Sequence, residues 1–206
     1  AAPFSDTTNH TYQTAIDLLY EQKIIQGDSG KTTFRPDDGI NRAEIIKIIV
    51  LATTTASLAV WDKDCFPDVK QGQWYTKYVC YAKEQNWIKG YADGKFKPDQ
   101  NVSNFEGMKI AAKAQNIDFT EGTPWYEDLV NTLSDRNLIP YTIHEANANL
   151  SRAEMSDLIV RLQRHAAGTL DQYLGTRTDI VVTLETITDG LNLSKFTTIH
   201  LCAESC

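Results

Sequence analysis

Up to about residue 165 the apolar positions fall at helical intervals, in pairs of segments: a short amphipathic one, then a longer and more apolar one. Tyr12, Ala15, Ile16, Leu19 and Tyr20 mark one face of a helix expected over residues 9–22. A second helix is expected from Asn41, an N-cap residue with Glu44 three positions on to complete a capping box. Ile45, Ile46, Ile48, Ile49 and Leu51 make it apolar almost all round, which suits a buried helix, and Lys47 interrupts the run. The pattern returns with Trp74, Tyr75, Tyr78, Val79 and Ala82, then a helix capped at Ser103 with Glu106. A third pair follows: Trp125 or Tyr126, Leu129, Val130 and Leu133, then Met155, Leu158, Ile159 and Leu162 after a cap at Ser151. Beyond Gly168 the period changes. Residues 179–188 and 195–201 alternate and are rich in β-branched side chains, with Asp189-Gly190 between them, and two strands are expected. A lone strand pair is marginal in water, so this tail should pair with the preceding residues, a further domain or another chain.

The paired segments are copies of one another. Phe4, Asp6, Phe34 and Pro36 recur 62 residues later as Phe66, Asp68, Phe96 and Pro98, while Ile16 and Gly27 recur 63 residues later as Val79 and Gly90. The third copy is shorter and lacks the opening Phe-x-Asp, but keeps Trp125, Val130, Leu138-Ile139 and Ser151-Arg152-Ala153-Glu154. A shared order of this kind marks a three-repeat chain. The repeats are expected at residues 1–60, 61–117 and 118–167, followed by a tail at 168–206.

Phe-x-Asp, a helix, Gly-x-x-Asp-Gly-x-Phe-x-Pro and Arg-Ala-Glu in tandem resemble the S-layer homology domain, over roughly residues 4–165. The resemblance implies a mainly α fold in which three repeats pack as a pseudo-threefold bundle, one long helix of each at the centre. It also implies that grooves between repeats hold anionic secondary polysaccharide of the bacterial cell wall. Arg42 and Arg152 stand first in their capped helices, where a guanidinium beside a helix N-terminus would suit a carboxylate on a sugar. Pairing with a local carboxylate is the other reading of each. The middle copy has Asn104-Phe105 instead of Arg-Ala, so a groove that needs position 104 should be weak or dead. Trp74 and Trp125 hold equivalent places, Thr11 standing there in the first copy, and the resemblance puts this position in the groove. Core packing accounts for an indole equally well. Asp6, Asp68, Asp93, Gly27 and Gly90 belong to the same ligand-binding set by resemblance, although turn geometry already gives the glycines and the Asp-Gly pair a sufficient reason.

Charge narrows the partners. The 206 residues carry a formal net charge of −7, which argues against nucleic acid but leaves a local anion site open. No run of eighteen apolar residues exists to span a membrane. The chain opens Ala-Ala-Pro, as a mature N-terminus left by signal cleavage would. Four cysteines form two local pairs, Cys65 with Cys80 and Cys202 with Cys206. In an exported chain these are expected as disulfides, the alternative being four buried thiols. His10, His144, His165 and His200 are scattered, and no nucleophile elbow, phosphate loop or paired carboxylates can be made out. No metal, cofactor or catalytic role is expected. Asn-x-Ser/Thr sequons occur at Asn9, Asn101, Asn149 and Asn192.

The expectation is a secreted, non-enzymatic protein of the cell surface or wall that binds wall polysaccharide non-covalently. Double substitution of Arg42 and Arg152 by Ala should then abolish binding and scarcely move thermal unfolding. The alternative is a self-assembling subunit of a surface layer or extracellular filament, joined to copies of itself through the C-terminal strands.

Overall fold

A computed structural model describes residues 3–28, 30–54, 58 and 64–175. The strands expected at 179–188 and 195–201, together with Cys202, Cys206 and the Asn192 sequon, lie outside the described residues. Among those described the fold is mainly helical. Its helices are α1 (Gln13–Glu21), α2 (Arg42–Thr53), α3 (Thr76–Glu84), α4 (Asn104–Ala114), α5 (Glu127–Asp135), α6 (Arg152–Ala166) and α7 (Leu170–Gly175). The last is a departure from expectation: the segment just beyond Gly168 forms a helical turn that packs on α6 through Leu170, Tyr173 and Leu174.

The two kinds of helix begin differently. Asn41, Ser103 and Ser151 accept from the backbone N–H of Glu44, Glu106 and Glu154, whose carboxylates reach back to the cap N–H, so α2, α4 and α6 each start with a full capping box. Tyr12, Tyr75 and Tyr126 precede α1, α3 and α5 without a side-chain cap. These shorter helices end alike. Lys23, Asn86 and Asn137 take positive φ, and the next residue's N–H bonds back five positions, as in Ile24 to the Leu19 carbonyl.

The helices α2, α4 and α6 each touch the other two, while α1 packs on α6 and α3 on α2. Between them runs a closed ring of backbone hydrogen bonds. Ile40 N–H donates to Leu150, Leu150 to Val102 and Val102 to Ile40, at 2.9–3.0 Å. Residues two positions before each member of the ring supply partners for the first-turn N–H groups that every helix leaves unsatisfied. Arg42 N–H meets the Gln100 carbonyl, Asn104 that of Ala148 and Arg152 that of Asp38, at 2.9 Å each. Apolar side chains fill the spaces on either side: Phe4 stacks on Phe34 with centroids 5.2 Å apart, and Phe66 packs at a tilt on Phe96 at 5.6 Å. Cys65 and Cys80 are joined by a disulfide that pins the entry of α3, Cys80 being buried at its centre. Closing a loop of that size stabilises by roughly 3 kcal/mol in the chain-entropy picture.

Candidate functional site: two Trp–Lys grooves

Two grooves of similar size flank the central helices. One, of about 270 Å³, lies between the 24–28 loop, α2 and Trp74, with Arg152 at its end. The other, of about 300 Å³, lies between the 87–91 loop, α4 and Trp125, with Arg42 at its end. These volumes sit at the lower limit of small-molecule sites, so each suits one or two sugar units rather than a length of polymer. The residues lining them correspond: Gly27 with Gly90, Lys47 with Lys109, Glu44 with Glu106, Trp74 with Trp125, and Arg152 with Arg42.

Each arginine is more deeply set than a surface anion site requires. Arg42 is 5% exposed; its Nε donates to the Phe96 carbonyl at 2.7 Å, and the guanidinium lies 4.6 Å from the Tyr91 centroid and 4.8 Å from that of Phe96. Arg152, 8% exposed, repeats this with the Phe34 carbonyl at 2.8 Å and the Phe34 ring at 4.7 Å. Burial pulls its pKa below the ordinary arginine value, with Glu44 opposing. Each also faces a glutamate from another helix, Arg42 with Glu106 at 3.6 Å and Arg152 with Glu44 at 3.3 Å. The guanidinium beside a capped helix N-terminus is thus also a structural tie. The first-turn N–H groups already donate to neighbouring carbonyls and caps, and each guanidinium holds a connector in place while presenting only part of its surface to the groove.

The tryptophans are set otherwise. Trp74 is 52% exposed, with the Lys47 ammonium 5.7 Å from its ring centre. Trp125 is half-buried against Phe105 and Tyr126, and the Lys109 ammonium lies 4.4 Å from its ring. A ring face beside an ammonium is what an acidic sugar needs: a platform for its C–H face and a charge for its carboxylate or phosphate. Lys47 and Lys109 were missed in the sequence, though Lys47 had shown itself as the interruption of an apolar helix and Lys109 stands 62 residues further on.

Asp6 and Asp68 hold backbone and are not among the residues lining the two grooves. Asp6 accepts from the N–H groups of Phe34 and Arg35, and Asp68 from those of Phe96 and Lys97, at 2.7–3.1 Å. Burial pushes both carboxyls up, but the backbone donors outweigh it and leave both below the ordinary value. Asp93 accepts from Lys95 N–H at 3.0 Å within its turn. Gly27 and Gly90 line the grooves and also have a packing reason to lack a side chain. A Cβ at Gly27 would lie 2.6 Å from Phe4 and 2.7 Å from the Thr33 carbonyl, and one at Gly90 2.7 Å from Phe66 and 2.9 Å from the Lys95 carbonyl.

The equivalent face on α6 is filled by the chain itself. Asn104 reaches the Glu145 carbonyl at 2.7 Å, a shorter arm making the contact that Arg42 and Arg152 make elsewhere. Where Lys47 and Lys109 stand, α6 has Asp157, wholly buried, accepting from Arg161 Nε at 2.6 Å and from the Tyr173 hydroxyl of α7 at 2.5 Å. Tyr12 and Thr142 bond each other at 2.9 Å, and Thr142 donates to Glu154.

The S-layer homology domain profile matches residues 3–46 and 66–103. The chain carries S-layer homology repeats. The chain is 32% identical over 135 residues to an endoglucanase of Bacillus sp. (strain KSM-635), covering 65% of this chain and 13% of that protein. It is 28% identical over 148 residues to a cellulosome-anchoring protein of Acetivibrio thermocellus, 62% of this chain and 33% of that one. It is 28% identical over 113 residues to S-layer protein sap of Bacillus anthracis, 53% of this chain and 13% of that one. The S-layer homology region is thus shared with proteins of which this chain spans a third or less.

Proposed function

We propose that this protein anchors non-covalently at the bacterial cell wall by holding an anionic saccharide in the Trp74 and Trp125 grooves. The chain is extracellular and associated with the cell wall. Its S-layer homology repeats, and relatives named as surface-layer and anchoring proteins, support that setting. The observation that carries the ligand reading is the repeated pairing of a tryptophan ring with a lysine, Trp74 with Lys47 and Trp125 with Lys109, in two grooves of matched size. Core packing alone gives no reason for an indole to sit beside an ammonium in both grooves.

Residues 118–167 are read here as a third repeat, after repeats at 1–60 and 61–117, the three arranged as a pseudo-threefold bundle with 168–206 following. The closed ring through Ile40, Val102 and Leu150 supports that reading, because each segment contributes one member. The role is taken as non-catalytic, since the endoglucanase shares only 13% of its length with this chain. The face at Asp157 is read as non-binding, its charge being opposite to that of the lysines.

The test is co-sedimentation with isolated bacterial walls, comparing the wild type with Lys47→Ala plus Trp74→Ala, Lys109→Ala alone, and all three together. Loss of one charge-and-stack contact should weaken binding about tenfold per groove. Melting temperatures should hold, because these side chains lie outside the buried core. Undiminished pelleting of the triple variant would overturn the assignment of the grooves.

A further inference from the structure

The two grooves differ in one respect that their shared outline hides. In the Trp125 groove the lysines are already occupied: Glu121 Oε2 accepts from Lys109 Nζ and Oε1 from Lys113 Nζ, each at 2.8 Å. One carboxylate thus bridges two ammonium groups a helical turn apart on α4, a pair that would otherwise repel. In the Trp74 groove no carboxylate pairs with Lys47 among the described residues, and Leu51 stands where α4 has Lys113.

We propose that Glu121 is an internal anion occupying the lysine pair of the Trp125 groove, so that a ligand enters only by displacing it, and the groove selects saccharides carrying a dianionic group. The proposal rests on the reading of this groove as an anionic-saccharide site. Three features support it. Glu121 comes from the non-helical segment between α4 and α5, its side chain is 42% exposed, and Gly122 beside it has open space around its Cα. The segment is held just before Glu121, by Phe119 against the core and by Thr120 N–H on Asp128 at 2.6 Å, so the carboxylate can swing outward while these anchors stay. Finally, the carboxylate stands where an incoming anion would, Lys109 being held between it and the Trp125 ring.

The selectivity follows from exchange. A ligand bearing one carboxylate replaces a carboxylate that is tethered nearby at an effective concentration of the order of millimolar or above, and so gains little from charge. A dianion gains an additional interaction with the same two ammonium groups. The apparent affinity of any ligand is lowered by the fraction of molecules in which the clamp is shut. Hydrogen bonds from Lys109 and Lys113 hold the Glu121 carboxyl down to about 2, so it is ionised throughout the physiological range. The gate therefore answers to competing anions and salt, and protons do not work it.

The experiment compares Glu121 with Glu121→Gln in the full chain, both carrying Lys47→Ala to silence the other groove. Glucose 6-phosphate, a dianion on a sugar, and glucuronate, a monoanion, are titrated by calorimetry. Glu121→Gln should bind both about tenfold more tightly, and the preference of the parent for glucose 6-phosphate should shrink. Equal or weaker binding by Glu121→Gln, or no heat from either protein, overturns the proposal. In parallel, acetylation of individual lysines by a small acylating reagent is followed by mass spectrometry. Lys109 and Lys113 should react severalfold faster in Glu121→Gln while Lys31 and Lys95 are unchanged, and unchanged rates at Lys109 and Lys113 overturn the clamp. Neither assay contains wall material, so failure of wild-type chain to sediment with walls overturns the anchoring reading alone.

Discussion

Replacing Arg42 by Ala separates a ligand-reading arginine from one that holds the fold. In the structure the side chain is 5% exposed and its Nε hydrogen-bonds the Phe96 carbonyl at 2.7 Å, 54 residues away in the chain. Truncation leaves that carbonyl without its partner, at a cost of about 1–3 kcal/mol. The guanidinium also lies within 5 Å of the Tyr91 and Phe96 ring centres, which adds about 0.5–2 kcal/mol. The contact with Glu106 is long, at 3.6 Å, and Glu106 is 31% exposed, so it contributes about 0.5 kcal/mol or less. The expected loss is about 3 kcal/mol, or about 6–12 °C in melting temperature for a chain of this length. Urea unfolding followed by circular dichroism measures it. Arg42→Lys, which keeps charge but cannot form the fork, should fall between Ala and wild type. A loss below about 1 kcal/mol for Arg42→Ala would refute the reasoning and return Arg42 to the role of a ligand group with little part in stability.

Gly90→Ala should destabilise by about 3 kcal/mol, because φ is +79° and the new Cβ would meet Phe66 and the Lys95 carbonyl below 3 Å; a melting temperature within a degree of wild type would show that the loop yields freely. Acid should act through Asp6 and Asp68. Their carboxyls are depressed in the folded state, so their stabilisation is complete above the unfolded value near 3.9 and is lost as pH falls through the folded value. Melting curves of wild type and of Asp6→Asn plus Asp68→Asn should therefore differ most at neutral pH and converge as the pH falls through the depressed folded values, and a constant gap would contradict that assignment.

Much of the fold was legible in the chain because it is written in short-range terms. The capping boxes at Asn41, Ser103 and Ser151 join residues three apart, the apolar faces recur at three and four, and Cys65 lies close enough to Cys80 for pairing to be the simple reading. The candidate site was legible in part. Trp74, Trp125, Gly27 and Gly90 line the two grooves, and they could be found because each pair holds equivalent places in the order of the repeats. The short helix after Gly168 was not foreseen, since six residues carry too little periodicity to separate a helical turn from the β-prone residues that follow.

Sequence alone determined which residues repeat, where the main helices start and which side of each is apolar, since propensity, capping and periodicity act within a few residues. Tertiary structure decided what those residues meet. Arg42 finds its carbonyl 54 positions away and Arg152 finds its own at 118, which makes each guanidinium a buried tie. Lys47 and Lys109 became groove residues only when a tryptophan from another segment was laid beside each, and Asp157 became a buried partner of Tyr173 only when α7 folded back. Burial and long-range pairing set the electrostatic character of a charged side chain, and both depend on the closed backbone ring that brings the three central helices together.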